Sequence, residues 1–178
     1  MSNKNSGNKS NISATANKNV AEVKRLISIK DYQKATWLLK ELIDQNNTTA
    51  EIYFLSGVCM INEGIYLNAA SYLSKAIEID PDFPEYQAML ALAYSHLGHT
   101  TLAIKHYENT LKLDEGNLSA LTGLGEIYYG QDDALLAKKY YSKVVSYKPS
   151  LSNAQIMLAY SLSDLGEYQQ AVKHAEKA

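Results

Sequence analysis

His96, His99 and His106 fall within one short stretch of the chain, and clustered imidazoles are the commonest raw material of a metal site. The first two flank a turn and the third follows on the next helical segment. A zinc centre needs three or four protein ligands in a tetrahedral arrangement, and the turn supplies two with nothing nearby to complete the set. The three histidines are therefore read as solvated turn residues, with no metal and no cofactor. Asp132 and Asp133 are adjacent carboxylates at a helix start. Capping and the helix dipole account for them, whereas general acid–base catalysis needs a pocket and a substrate as well. Cys59 is the single cysteine, so no internal disulfide forms, and on the packed face of a helix it is read as a small hydrophobe. The sequence contains no phosphate loop, Gly-x-Ser-x-Gly elbow, Cys-x-x-Cys pair or His-Glu-x-x-His run. No catalytic residue is assigned, and this segment is expected not to be an enzyme.

The elements that carry these residues follow from a repeat. Ala35, Ala69, Ala103, Ala137 and Ala171 are spaced 34 residues apart, and a fixed period of that length marks an array of helix pairs. Rows beginning at residues 16, 50, 84, 118 and 152 bring further columns into register. Gly57, Ala91, Gly125 and Ala159 share one column, and Gly64, Gly98 and Gly166 another. Leu39, Leu73, Tyr107 and Tyr141 form a bulky column. Small residues on a first helix facing an alanine on the second allow close crossing, with larger side chains filling in around them. Glycine ends a first helix where the backbone turns left-handed. Pro81 and Pro149 sit just past second helices, which proline cannot continue.

With those columns in view, the rows resemble tetratricopeptide repeats, whose small–small–Ala–bulky–Ala–Pro pattern is carried in the second row by Gly57, Ala69, Leu73, Ala76 and Pro81. The third row has Glu115 in place of the proline, and the fourth has Asp132 in place of the turn glycine. The resemblance implies an all-α fold, a right-handed α-solenoid of antiparallel helix hairpins, over rows 16–49, 50–83, 84–117, 118–151 and a partial row 152–178. Asn19, Glu22 and Lys30 depart from their columns, as a terminal repeat facing water would. Residues 1–15 are rich in Asn, Ser and Lys and are read as a disordered tail. The last helix lacks a following helix to cover it. From this we expect fraying there or coverage by another copy of the chain, or else a longer protein of which this is the N-terminal part and whose remainder could hold a different activity.

By the same resemblance the first helices line a concave peptide-binding groove. In the first two rows its residues are Asn17, Val20, Lys24, Glu51, Phe54, Val58 and Asn62. In the later rows they are Glu85, Leu92, His96, Glu126, Tyr129, Ile156 and Tyr160. Relatives that grip the acidic C-terminal carboxylate of heat-shock chaperones use Lys, Asn and Arg at places held here by Phe54, Val58, Met89, Ser119 and Gly123, so that clamp is absent. Trp37 stands in a column otherwise occupied by Ser71, Lys105, Lys139 and Lys173. That column faces solvent, which makes the indole a candidate contact on the convex face.

Composition sets the class of partner. With 46% hydrophobic residues and a formal charge of −2, the chain has enough material for a core and no basic surface to attract nucleic acid or anionic membrane. The absence of a signal peptide or long apolar run places it in the cytoplasm by default. The expectation is a protein-interaction scaffold that binds a protein or peptide partner, apolar with basic flanks. Two other readings are the substrate-guiding N-terminal array of a larger enzyme, such as a protein glycosyltransferase, and a secretion-type chaperone.

Overall fold

A computed structural model describes the backbone from residue 5 and the side chains from residue 17. The chain divides into two compact units, 1–81 and 82–178, and all regular structure among the described residues is helical. The first unit holds α1 (Asn5–Ser28), α2 (Tyr32–Asp44), α3 (Ala50–Asn62) and α4 (Tyr66–Ile79). The second holds α5 (Pro84–His96), α6 (Thr100–Leu113), α7 (Leu118–Gly130), α8 (Ala134–Tyr147), α9 (Ser152–Asp164) and α10 (Tyr168–Ala175). Four first helices thus begin at Ala50, Pro84, Leu118 and Ser152, 34 residues apart.

Local chemistry explains the starts and stops. Thr49 Oγ1 accepts from Ile52 N at 3.3 Å, Asn117 Oδ1 from Ala120 N at 3.1 Å and Asp133 Oδ1 from Leu136 N at 3.0 Å, each satisfying a donor that a helix start leaves open. Pro84 opens α5, where its missing N–H costs nothing. All five first helices end on a left-handed residue of one column: Lys30, Gly64, Gly98, Asp132 and Gly166, with φ from 59° to 77°. The hydrogen bonds there include His99 N to Tyr94 O at 2.9 Å and Gly98 N to Ser95 O at 3.0 Å, which cap the last carbonyls of α5. Row three turns without its proline because Asp114 accepts from Gly116 N and from Asn117 Nδ2, an Asx turn.

In the first unit α1 pairs with α2 and α3 with α4, while α2 packs on α3 and α1 touches α3. Val23, Leu26, Ala35, Leu39, Leu42 and Ile52 belong to one core cluster. Gly57 lies under Leu73 so closely that a Cβ there would collide with its branch. Thr36 Oγ1 donates to Glu63 Oε2 at 3.3 Å, linking α2 to the turn that follows α3. Helical backbone also runs back to Asn5, through residues 5–15 that composition assigns to the tail. Asn and Ser cost only about 0.7 kcal/mol or less per residue in a helix relative to Ala, so a helix anchored by buried Val23 and Leu26 can propagate into them. The remainder of that tail, residues 1–4, lies outside the described residues.

In the second unit the hairpins are α5–α6, α7–α8 and α9–α10, with α6 packed on α7 and α8 on α9. Ala103 and Ala137 are completely buried, as their place at the helix crossings requires. One position pair varies between hairpins. Gln87 faces His106 and Gln155 faces His174, each with Oε1 2.7 Å from the imidazole Nδ1. The equivalent pair in α3–α4 is Tyr53 and Tyr72, stacked at 6.2 Å between centroids. Gln155 is buried and engaged at both ends of its amide, because its Nε2 also donates to Pro149 O at 2.8 Å. Lys138 Nζ meets both carboxylate oxygens of Glu167 at 2.6 and 2.8 Å, tying α8 to the N-cap of α10.

Candidate functional site

The residues read as solvated turn histidines separate. His106 is half-buried, hydrogen-bonded to Gln87 and stacked on Tyr94 at 5.5 Å, and burial holds its pKa below the ordinary imidazole value. It is a packing residue, because a ring on the inner side of α6 faces α5 rather than water. His99 is exposed beside the Tyr94 ring at 6.0 Å, and His96 is exposed at the end of α5. Asp133 is engaged as the N-cap of α8, and Asp132 occupies the left-handed turn position. Cys59 is buried, which raises its thiol pKa to about 11 and keeps it protonated at neutral pH.

None of the described groove residues is buried; each is exposed or half-buried on a first helix. On α1 and α3, Lys24 Nζ lies 2.6 Å from Glu51 Oε1, so the cation and one of the expected acids neutralise each other. Val20, Phe54 and Val58 are half-buried. The Asn62 amide is turned back on its own helix, donating to Val58 O at 2.8 Å.

On the second unit the sequence-derived residues converge further. A cavity of about 320 Å³ opens between α5 and α7, lined by Met89, Leu92, Leu118 and Thr122, with Tyr107 in its lining and Glu126 the single charged residue. Its shape depends on Gly123, where a Cβ would fall on the Tyr107 ring; glycine lets the ring come up against α7. Two residues on, and so on the other side of the helix, Gly125 does the same for Tyr141, whose ring carbons lie 2.9–3.1 Å from where its Cβ would be. Both tyrosines therefore press on α7, from different sides. Burial raises the Tyr107 pKa to about 12, with the Glu126 charge adding to it. Tyr141 is raised further by burial, then by Glu126 and Tyr129. Glu126 is exposed at the cavity mouth, and partial desolvation there raises its pKa against an opposing pull from His96. The Tyr141 hydroxyl is buried without a hydrogen-bond partner.

Tyr129 of α7 is coupled to Asp164 and Tyr160 of α9; burial is the first cause of its raised pKa, and those two neighbours follow. Tyr160 and Ile156 are exposed, as is Glu85. Sequence reasoning named Met89 only as a place of the absent clamp, and it missed Thr122 and Asp164. Thr122 shares the column of Phe54 and Ile156, and Asp164 that of Asn62 and His96, so the repeat register already contained the signal for both. Trp37 is 62% exposed and edges a separate hollow with Leu26, Ile29 and Leu38, rimmed by the ion pairs Arg25–Glu22 and Lys34–Asp31.

Antiparallel helix hairpins repeating every 34 residues, with an open face on their first helices, define an α-solenoid interaction scaffold. The tetratricopeptide repeat family matches residues 50–83, 118–151 and 152–178, and a second description of the same repeat matches 72–105. The chain belongs to the tetratricopeptide repeat family, and it is a protein–protein interaction scaffold. The BBSome complex member BBS4 of Bos taurus is 29% identical over 130 residues, 71% of this chain and 25% of that protein. The heat shock protein sti1 homolog of Schizosaccharomyces pombe is 25% identical over 73% of this chain and 22% of its own length. Superkiller protein 3 of Saccharomyces cerevisiae is 29% identical over 42% of this chain. The chain spans 5% to 25% of the lengths of these relatives.

Among solved structures, MamA from Desulfovibrio magneticus RS-1 superposes with a TM-score of 0.79 at 18% identity, over 91% of this chain and 92% of that one. YrrB, described as a TPR protein with an unusual peptide-binding site, gives 0.70 at 16% identity over 89% of this chain and 82% of its own. At such identities the likeness is one of fold. No described helix is long and apolar enough to cross a membrane.

Proposed function

We propose that this scaffold binds, on the face formed by α5, α7 and α9, an apolar segment of another protein that carries basic flanks. The cavity between α5 and α7 carries the reading, since it combines Met89, Leu92 and Leu118 with one carboxylate, Glu126. Exposed Tyr160 and Ile156 extend the apolar surface along α9, and Glu85 and Asp164 add acid at its edges. Apolar and aromatic anchors supply most binding energy, while rim charges mainly set orientation and association rate. Phe54 and Val58 offer similar apolar contact on α3. The clamp places hold Phe54, Val58, Met89, Ser119 and Gly123, so we expect no acidic C-terminal ligand here. We assign the segment no catalytic role and place it in the cytoplasm.

Selection from a random peptide library on the full chain tests this. Apolar sequences flanked by Lys or Arg should be enriched, and Tyr129→Ala should weaken them by about 1–3 kcal/mol without unfolding the protein. Glu85→Lys should chiefly slow association. Enrichment of acidic or C-terminal-carboxylate peptides would overturn the reading. A second reading, that this array serves a larger enzyme or assembly, is favoured by the small share of its relatives that the chain spans. Exposed Tyr168 and Val172 on α10 also favour contact with another copy of the chain, which Val172→Lys should abolish in light-scattering measurements.

A further inference from the structure

The cavity between α5 and α7 is unusual in what it places around one acid. Its walls are the aliphatic and thioether side chains of Met89, Leu92 and Leu118, and its volume of about 320 Å³ is at the small end of ligand pockets. That is room for a single long side chain rather than for a helix. The lining's one charge is Glu126, set beside the Tyr107 ring that Gly123 admits against α7. A purely apolar anchor would fill the walls and push water off this carboxylate without replacing its hydration, a net cost. A carboxylate or phosphate would meet Glu126 as a like charge. A side chain with an aliphatic stem and a cationic end satisfies both parts, because Lys and Arg cover apolar surface with their methylenes while the charged end stays with a partner.

We propose that this cavity receives a lysine or arginine side chain of the bound protein segment, with the stem against Met89, Leu92 and Leu118 and the charged end on Glu126. The inference rests on the reading of the α5–α7–α9 face as the peptide site and assigns a specific residue type to one of its pockets. The Tyr107 ring, which forms part of the cavity lining, adds an aromatic surface of the kind that attracts cations.

The probe is the pentapeptide acetyl-Ala-Leu-Lys-Leu-Ala-amide, compared with the same peptide carrying norleucine at its centre, which keeps the stem and removes the ammonium. Binding to the full chain at pH 7.5 is followed by amide NMR shifts at Gly123 and Glu126. The lysine peptide should bind about fivefold more tightly than the norleucine peptide, the size of effect a partly exposed charge pair supports. Glu126→Gln should erase that difference while the protein stays folded and still binds the norleucine peptide. Equal or tighter binding of the norleucine peptide to the unaltered protein would overturn the assignment, yet keep the apolar-peptide reading. Absence of any shift on α5, α7 and α9 with either peptide would overturn both.

Discussion

On α1 and α3 the charges cancel: Lys24 and Glu51 meet at 2.6 Å, the Asn62 amide is tied to its own helix, and Phe54 and Val58 lie half-buried between them. The corresponding helices of the second unit carry Glu85, Glu126 and Asp164 with Tyr129 and Tyr160, and a cavity opens between α5 and α7. All four histidines of the chain also lie in the second unit. The same repeat thus builds a neutral face in one place and an acidic, aromatic one in another, because the columns that fix the fold do not include the positions that face outward. If the first-unit face mainly holds helices together and the second-unit face mainly binds, substitutions should divide along that line.

The largest effects should come from the columns that both units share. Ala103 has no exposed surface, so Ala103→Leu should overpack the α5–α6 crossing and cost about 1–3 kcal/mol in a thermal or denaturant melt. Exposed Lys105→Leu should cost far less. Equal damage from the two would mean that the shared columns do not set the stability of the second unit.

These columns were legible in the sequence because they encode size, and size at a helix crossing is a residue-by-residue property. The left-handed turn column was legible too, including the departures at Lys30 and Asp132. What escaped was pairing across helices. Nothing in the sequence marks that Lys24 reaches Glu51, or that Gly123 brings Tyr107 up beside Glu126, since each depends on how closely two helices pack. His106 was misplaced for the same reason: its nearness to the turn suggested solvent, while its partner Gln87 lies 19 residues earlier. The N-terminal tail was judged on composition, which does not register that an anchored helix can extend into weak helix formers.

The turn column gives the next effect, one in each unit. Lys30 and Asp132 hold φ of 60° and 59°, a conformation that costs non-glycine residues roughly 1–2 kcal/mol. Part of that cost returns as lost chain entropy when glycine is introduced. Lys30→Gly and Asp132→Gly should therefore each stabilise by about 0.5–1 kcal/mol, and Gly98→Ala should destabilise. A loss of stability in both glycine variants would show that these side chains make contacts worth more than the strain they carry.

Acid and base then act on the second unit from opposite sides. Burial lowers the folded-state pKa of His106 and of His174, so the stability they contribute is full above the ordinary imidazole value and is lost as pH falls through the lowered one. Partial desolvation raises the Glu126 pKa, so its contribution is full below the ordinary carboxylate value and is lost as pH rises through the raised one. Glu126→Gln should accordingly raise the melting temperature at pH 7, with the gain vanishing near pH 4. A gain that persisted unchanged into acid would mean the substitution acts through packing instead.

The smallest expected effect is also the sharpest test of the contrast between the two faces. Lys24 and Glu51 are each about half exposed, and an exposed ion pair contributes at most about 1 kcal/mol once side-chain ordering and solvent screening are counted. Lys24→Met should therefore lower stability by less than that, and the loss should shrink in 1 M salt, where the screening length falls to about 3 Å. The variant leaves Glu51 unpaired and gives the first unit the combination already present around Glu126, an acid beside apolar side chains. If charge balance is what separates the faces, Lys24→Met should create weak binding of lysine-containing peptides on α1 and α3, visible as new NMR shifts at Glu51 and Phe54 beyond those of the unaltered protein. Unchanged shifts there would show that an acid and an apolar surface are not enough, and that the difference lies in the cavity that Gly123 and Tyr107 shape in the second unit.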